Sequence, residues 1–414
     1  MSAYSWLKKL LCACTLSAAA ACGSDSSTAP KGPPSEDQLF MNAARTAWAF
    51  VENNTQPGTG LAQAHYTFQY VTTWDIASQI AATYAAHELG IIDDGSYDAR
   101  IRKILGTLGS ISLFEGAAFN RFYDAQTGKM VSRDYQISTT GFGWSDTDQG
   151  RLLTWLHVLA VKQPQYASLA AAIVNRLNYS RLIASGTLQG FDVSMNGTRS
   201  AYAETGLGYE QYAAGGFALW GHRATNSLNP TANATTVNVL GVPVYVDKRG
   251  VARATSEPYM LIGMETGWWS QSLKDQAWQI LTAQQARFDQ TGVITMATED
   301  ALPDPPYYFY YYSIYHGGKT FVVEGPGMGT VVEKPRWISS KASFAWRALF
   351  PTDYTLKAFN AVQPAAIEGK GWGAGVYEDS LQPTGEASLN TAGVILEAAL
   401  YHKLGASFIN EPIG

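Results

Sequence analysis

From residue 38 to residue 404 the chain alternates between stretches with apolar residues at every third or fourth position and loops dense in aromatic and acidic residues. The 3.6-residue period predicts helices over 38–53, 74–89, 96–110, 146–162, 164–186, 204–221, 257–267, 270–288, 339–349, 353–364 and 388–404, about eleven. Two kinds alternate. Segments such as Ile76–Ala86 and Tyr212–Ala218 are small and apolar on nearly every side, which predicts burial all round. Neighbours such as Asp98–Ile104 carry a polar face and predict a half-exposed layer.

That alternation predicts two concentric layers of helices, an all-α (α/α)6 toroid with short β-hairpin insertions. A solenoid is the alternative, but no fixed period of helical repeats runs through the chain. The hairpins are expected at Thr235–Val246 and where Tyr307–Tyr312 runs on to Gly317–Val323.

The N-terminus changes the picture. Lys8 and Lys9 precede the uncharged run Leu10–Ala21, too short for a bilayer span and typical of a secretory signal. The run ends in Ala19-Ala20-Ala21-Cys22, which resembles a lipobox and implies lipidation at Cys22. An ordinary secretory cut after Ala21 is the alternative. Residues 22–37 then read as a polar, proline-bearing tether, and 38–414 as one domain. Ser24, with Gly23 before it, carries no inner-membrane retention signal, so the expected location is the outer membrane, on its periplasmic or surface face.

Charge and cysteine content narrow the chemistry. All three cysteines fall at or before residue 22, leaving none for a disulfide, a zinc site or a nucleophile in the mature chain. The formal net charge is −5 and becomes about two units more negative once Lys8 and Lys9 leave, which argues against nucleic acid and polyanionic glycans as partners. The six histidines have no metal-ligand spacing, and neither a nucleophile elbow nor a phosphate loop occurs. No metal and no cofactor are expected. The membrane is expected as a partner only through the lipid anchor, and the chain as a monomer.

Acids and aromatics gather where the buried helices begin. Trp74-Asp75, Trp144 with Asp146 and Asp148, Glu204, Tyr209-Glu210, Glu257, and Trp372 with Glu378 all lie at such starts. Helix capping explains part of this. The remainder is what sugar recognition requires, rings for the apolar faces of pyranoses and carboxylates for hydroxyls. Glycoside hydrolysis needs one protonated carboxyl over the glycosidic oxygen and a second carboxylate. Glu204 and Glu299 are read as that pair. Asp75, Asp148, Glu210 and Glu378 are read as reserves or hydroxyl ligands, and Trp74, Trp144, Tyr209 and Trp372 as stacking walls.

The motifs Thr73–Ser78, Asp148–Leu153, Gly208–Ala214, Ser256–Tyr259 and Asn390–Glu397, in that order, resemble the bacterial family catalogued as domain of unknown function 3131, over residues 40–404. That family is similar to glucoamylase-like helical toroids that include bacterial endo-β-1,2-glucanases. The resemblance implies a toroid and a sugar substrate. The expected function is a glycoside hydrolase acting on a neutral or weakly charged bacterial glucan or exopolysaccharide. The alternatives are a non-catalytic polysaccharide-binding lipoprotein and a polysaccharide lyase using Tyr315 and His316.

Overall fold

The computed structural model describes residues 34–249, 253–326 and 330–413. The expected signal, Cys22 and most of the tether lie outside them. The domain is the compact unit Glu36–Gly414. Its longer helices are α1 Glu36–Asn54, α2 Thr73–Glu88, α3 Asp94–Ser110, α4 Asp146–Lys162, α5 Ala167–Val174 and α6 Tyr209–Leu219. They continue with α7 Glu257–Leu261, α8 Gln271–Thr291, α9 Ser340–Leu349, α10 Asp353–Ala361 and α11 Leu389–Leu404. A π turn, Ile262–Thr266, extends α7.

Helix character follows the apolar pattern. Helix α1 buries Phe40, Ala43, Ala44, Ala47, Trp48 and Val51, one stripe at helical spacing. Helix α2 is buried continuously from Ile76 to Ala86. The buried helices touch in a cycle: α2 meets α4, α4 meets α6, then α7, α9 and α11 follow, and α11 returns to α2. Helices α1, α3, α5, α8 and α10 pack against members of that cycle. Small residues bring the buried helices together. A Cβ on Gly150 of α4 would lie 2.4 Å from the Ala213 Cα of α6, and one on Gly393 of α11 would lie 2.9 Å from the Ser78 carbonyl oxygen of α2.

Strands make up 21 % of the chain against 45 % helix, so the protein is helix-rich, and all-α describes it too narrowly. Both expected hairpins form. Ala234–Val239 pairs with Val242–Asp247 around Leu240 and Gly241, whose φ of 53° and 90° suit a two-residue turn. Phe309–His316 pairs with Lys319–Glu324 within a five-stranded sheet that also takes in Glu299–Ala301. Other strands are short ladders leading into buried helices, such as Gly143–Trp144 before α4 and Trp337–Ser339 before α9. The helix expected over 164–186 shortens to α5. After Val174 the chain turns at Asn175–Asn178, and Ile183–Ala184 pairs with Thr187–Leu188. Among the described residues no helix is long and apolar enough to cross a membrane.

Candidate functional site

The starts of α2 and α4 are built by side-chain caps. Thr72 accepts from the Asp75 backbone at 3.1 Å, and the Asp75 carboxylate accepts from the Thr72 backbone at 3.0 Å and the Thr72 hydroxyl at 2.8 Å. Ser145 accepts from the Asp148 backbone at 3.3 Å and donates to its carboxylate at 3.2 Å. In each case the local sequence puts an acid in the third helical position and fixes its direction. Burial raises the Asp75 carboxyl, against the Thr72 hydrogen bonds. Burial likewise raises Asp148, to about 7; Arg121 opposes this, and Glu204 and Asp75 reinforce it.

A second acidic group lies in the strand Glu299–Ala301. Glu299, 9 % exposed, is raised to about 8 by burial and by the neighbouring charge of Glu257, against Lys341, Tyr209 and Arg253. Asp300 accepts from the Trp337 indole at 2.8 Å and from Thr391 at 3.3 Å, and burial raises it to about 6. Lys341 of α9, 1 % exposed, is ion-paired to Glu257 and lies 3.8 Å from Asp300. Glu257 is held further by Asn390 at 2.7 Å and Thr298 at 3.0 Å. Tyr311, whose neighbours in the ladder are Glu299 and Glu324, is within electrostatic reach of both Glu299 and Asp148. Tyr311 thus links the two acidic groups electrostatically.

Not every residue expected there behaves as expected. Glu204 is 8 % exposed and accepts from the Asp146 backbone at 2.9 Å, so it braces the first turn of α4. Burial raises it, while the Asp146 backbone, Arg121 and the Thr147 backbone pull it down. Glu210 is consumed by Ser227 at 2.6 Å and by an ion pair with Arg249. Glu378 lies elsewhere, in a two-toothed ion pair with Arg287 at 2.7 and 2.9 Å and accepting from the Tyr312 hydroxyl at 2.8 Å. Trp144, 1 % exposed, is stacked on Phe191 with Arg181 also against its ring, and its indole donates to Gln189. Trp372 donates to the Ala43 carbonyl and packs edge-on against Phe344. Neither tryptophan has a face left for a sugar. Trp74 is buried beneath Arg151, with Tyr209 and Tyr212 against its ring. Tyr209 is half-buried, with its hydroxyl beside Glu299. Tyr315 and His316 are adjacent strand residues, so their side chains diverge, and His316 is engaged with Glu324 at 3.1 Å.

Lys341, Arg121 and Arg253 belong to the site and escape the sequence pattern, whereas Tyr311 lies in the aromatic run Tyr307–Tyr312. Of those three, Lys341 alone carries a visible signal, a lysine among the small and apolar residues of Ser340–Phe344. Among the described residues no group of acids, histidines and cysteines is arranged to hold a metal ion.

No curated protein sequence matches the chain. Solved structures that share its fold include the following three. A glucoamylase-like protein from Bacteroides caccae is 14 % identical at a TM-score of 0.66, over 90 % of this chain and 94 % of that one. The endo-β-1,2-glucanase of Chitinophaga pinensis, in complex with sophorotriose and glucose, is 14 % identical at 0.63, over 90 % and 94 %. A Glu-to-Gln mutant of the Talaromyces funiculosus endo-β-1,2-glucanase, in complex with β-1,2-glucan, is 10 % identical at 0.59, over 87 % and 83 %. At these identities the likeness is one of fold. The family is shown by sequence, since the model of the protein family of unknown function DUF3131 matches residues 42–405, and the chain belongs to that family.

Proposed function

We propose that the protein is a glycoside hydrolase built on an (α/α)6 toroid and cleaving a neutral or weakly charged bacterial glucan or exopolysaccharide. The closed cycle of buried helices, each flanked by more exposed ones, supports the toroid. The observation that carries the chemistry is Glu299. It is a carboxyl 9 % exposed, pushed up to about 8 by that burial and by Glu257, and its ladder partner Tyr311 is also within electrostatic reach of Asp148.

In this reading Glu299 gives its proton to the glycosidic oxygen as the bond to the anomeric carbon breaks. Asp148, ionised and steadied by Arg121, takes a proton from the water that attacks that carbon. It thus fills the part that the sequence pattern assigns to Glu204. Lys341 balances the charge that appears on Glu299 once its proton has gone. Asp75 and Asn390, both half-buried, would hold hydroxyls. Solved neighbours that are endo-β-1,2-glucanases, with sophorotriose or β-1,2-glucan bound, support a glucan as substrate. Anchored through Cys22 at the outer membrane, the enzyme would meet glycans of the cell envelope.

The test is incubation of the protein with a panel of neutral glycans, β-1,2-glucan among them, followed by assay of new reducing ends. Release from one member, lost in Glu299→Gln, is the expected result. No release from any member overturns the reading.

A further inference from the structure

A cluster of aromatic rings lies next along the chain to residues of the acidic site and outside the main hydrophobic core. Phe68 contacts Tyr70, Phe122 and Tyr135 at centroid distances of 5.1, 5.8 and 5.2 Å, and Tyr70 is stacked on Tyr135 at 5.3 Å. Phe68, Tyr70 and Phe122 are half-buried, and Tyr135 is 41 % exposed. The cluster is tied to the site by the chain itself. Tyr70–Val71 leads straight into the cap of α2, five residues ahead of Asp75, and pairs with Tyr123–Asp124. Phe122 follows Arg121, the cation beside Asp148 and Glu204. At roughly 3.3 Å per extended residue, Tyr70 lies no more than ~17 Å from Asp75.

Backbone geometry singles out Tyr135. Its φ is 60°, a left-handed conformation that a bulky side chain rarely adopts. The loop enforces it: the Tyr135 amide donates to the Ser132 carbonyl at 3.0 Å, and the Tyr70 hydroxyl donates to the Tyr135 carbonyl at 2.7 Å. A strained residue that keeps a large ring 41 % exposed and outside the main core is a mark of use.

We propose that Phe68, Tyr70, Phe122 and Tyr135 form a platform for the sugar rings of the same glucan chain, beyond the unit that is cut. The occupant follows from continuity with the acidic site and from composition. Aromatic faces suit the apolar faces of pyranoses, and the ion-paired Arg133 and Asp192 close by suit hydroxyls. The substrate is then a polymer gripped along its length, not a disaccharide. This rests on the glucan reading above, and its test separates the two.

Binding and cleavage of sophorose, sophorotriose and long β-1,2-glucan, with β-1,3- and β-1,4-glucan series in parallel, are measured for the full chain and its Tyr135→Gly and Tyr135→Phe variants. Tyr135→Gly removes the ring at a backbone conformation that glycine adopts freely, so the loop should keep its course while affinity for the long glucan falls on the order of tenfold, as for loss of an aromatic anchor. Affinity for the disaccharide should stay within about twofold, and Tyr135→Phe should bind the long glucan as the wild type does. Unchanged binding of the long glucan, or equal loss on short and long chains, overturns the platform. So does failure of the wild type to bind any of the three series. Binding without cleavage by the wild type leaves the platform standing and overturns the hydrolase.

Discussion

The ammonium of Lys341 is ion-paired with the Glu257 carboxylate, and both side chains are shut off from water. Burial alone would make Lys341 easier to deprotonate. Glu257, Asp300 and Glu299 outweigh that and raise it, so it stays a cation. Removing one partner of such a pair leaves the other charge stranded, which typically costs about 3–5 kcal/mol. Lys341→Met should therefore unfold at much lower urea, and Lys341→Met with Glu257→Gln should recover part of the loss. A single variant as stable as the wild type in urea titrations would show that the pair does not hold α9 to α7.

Glu299→Gln keeps the shape of the group and removes its transferable proton. Turnover should fall roughly 10²–10⁴-fold, the usual range for a positioned general acid, while glycan binding is retained. Stability reports the same group independently. Its folded pKa, about 8, lies above the ordinary carboxylate value of 4.5, so the folded state holds a proton that the unfolded chain has released. Stability from this group is full below pH 4.5 and is lost as the pH rises towards 8. The melting temperature of Glu299→Gln should gain on the wild type between pH 5 and pH 8. An equal difference at both pH values would mean that Glu299 is ionised when folded.

The two raised carboxyls also set a pH profile. Asp148, at about 7, must be ionised, and Glu299, at about 8, must keep its proton. The productive form is therefore most populated between about pH 7 and 8 and falls on both sides, as a bell in kcat/KM. In Asp148→Asn whatever activity remains should lose its acidic limb. A maximum near pH 5 in the wild type would remove these two groups from the chemistry.

Much of the fold is legible in the chain because its signals are local. Helix α4 runs over Asp146–Lys162 as the period predicts, since Ser145 caps it and Gln163-Pro164 ends it. Helix α11 stops where Gly405 supplies a φ of 64°. Asp75 and Asp148 are legible for the same reason, as acids in the first turns of buried helices. The rest of the site is assembled by contacts between distant segments. Lys341 meets Glu257 across 84 residues, and no periodicity reveals that. Trp144 and Trp372 misled because an aromatic before a buried helix can face the site or plug the ladder beneath it, and a strand's two faces differ by one residue.

Lipidation depends on one atom. On the lipoprotein reading proposed above the diacylglycerol acceptor would be the Cys22 thiol, so Cys22→Ser should leave the protein unlabelled by radioactive palmitate and free of the membrane fraction. Processing of the wild type should be blocked by globomycin. Label-free wild type, cut in the presence of globomycin, would mean an ordinary secretory signal.

The packing of α4 on α6 gives a stability prediction that does not depend on any activity. A Cβ on Gly150 would overlap the Ala213 backbone, and one on Gly216 would come 2.1 Å from the Gly150 carbonyl oxygen. These atoms belong to main chain and cannot swing aside. Gly150→Ala must therefore push the helices apart and should cost about 1–3 kcal/mol or more, the range for overpacked cores. Gly106, on the exposed side of α3, offers a control, because a Cβ there meets nothing within 4 Å. Its backbone is helical, so Gly106→Ala should add roughly 0.5–1 kcal/mol by reducing the freedom of the unfolded chain. Urea titrations of the two variants should move in opposite directions from the wild type. If Gly150→Ala is neutral, the close contact between α4 and α6 is not what holds the buried helices together.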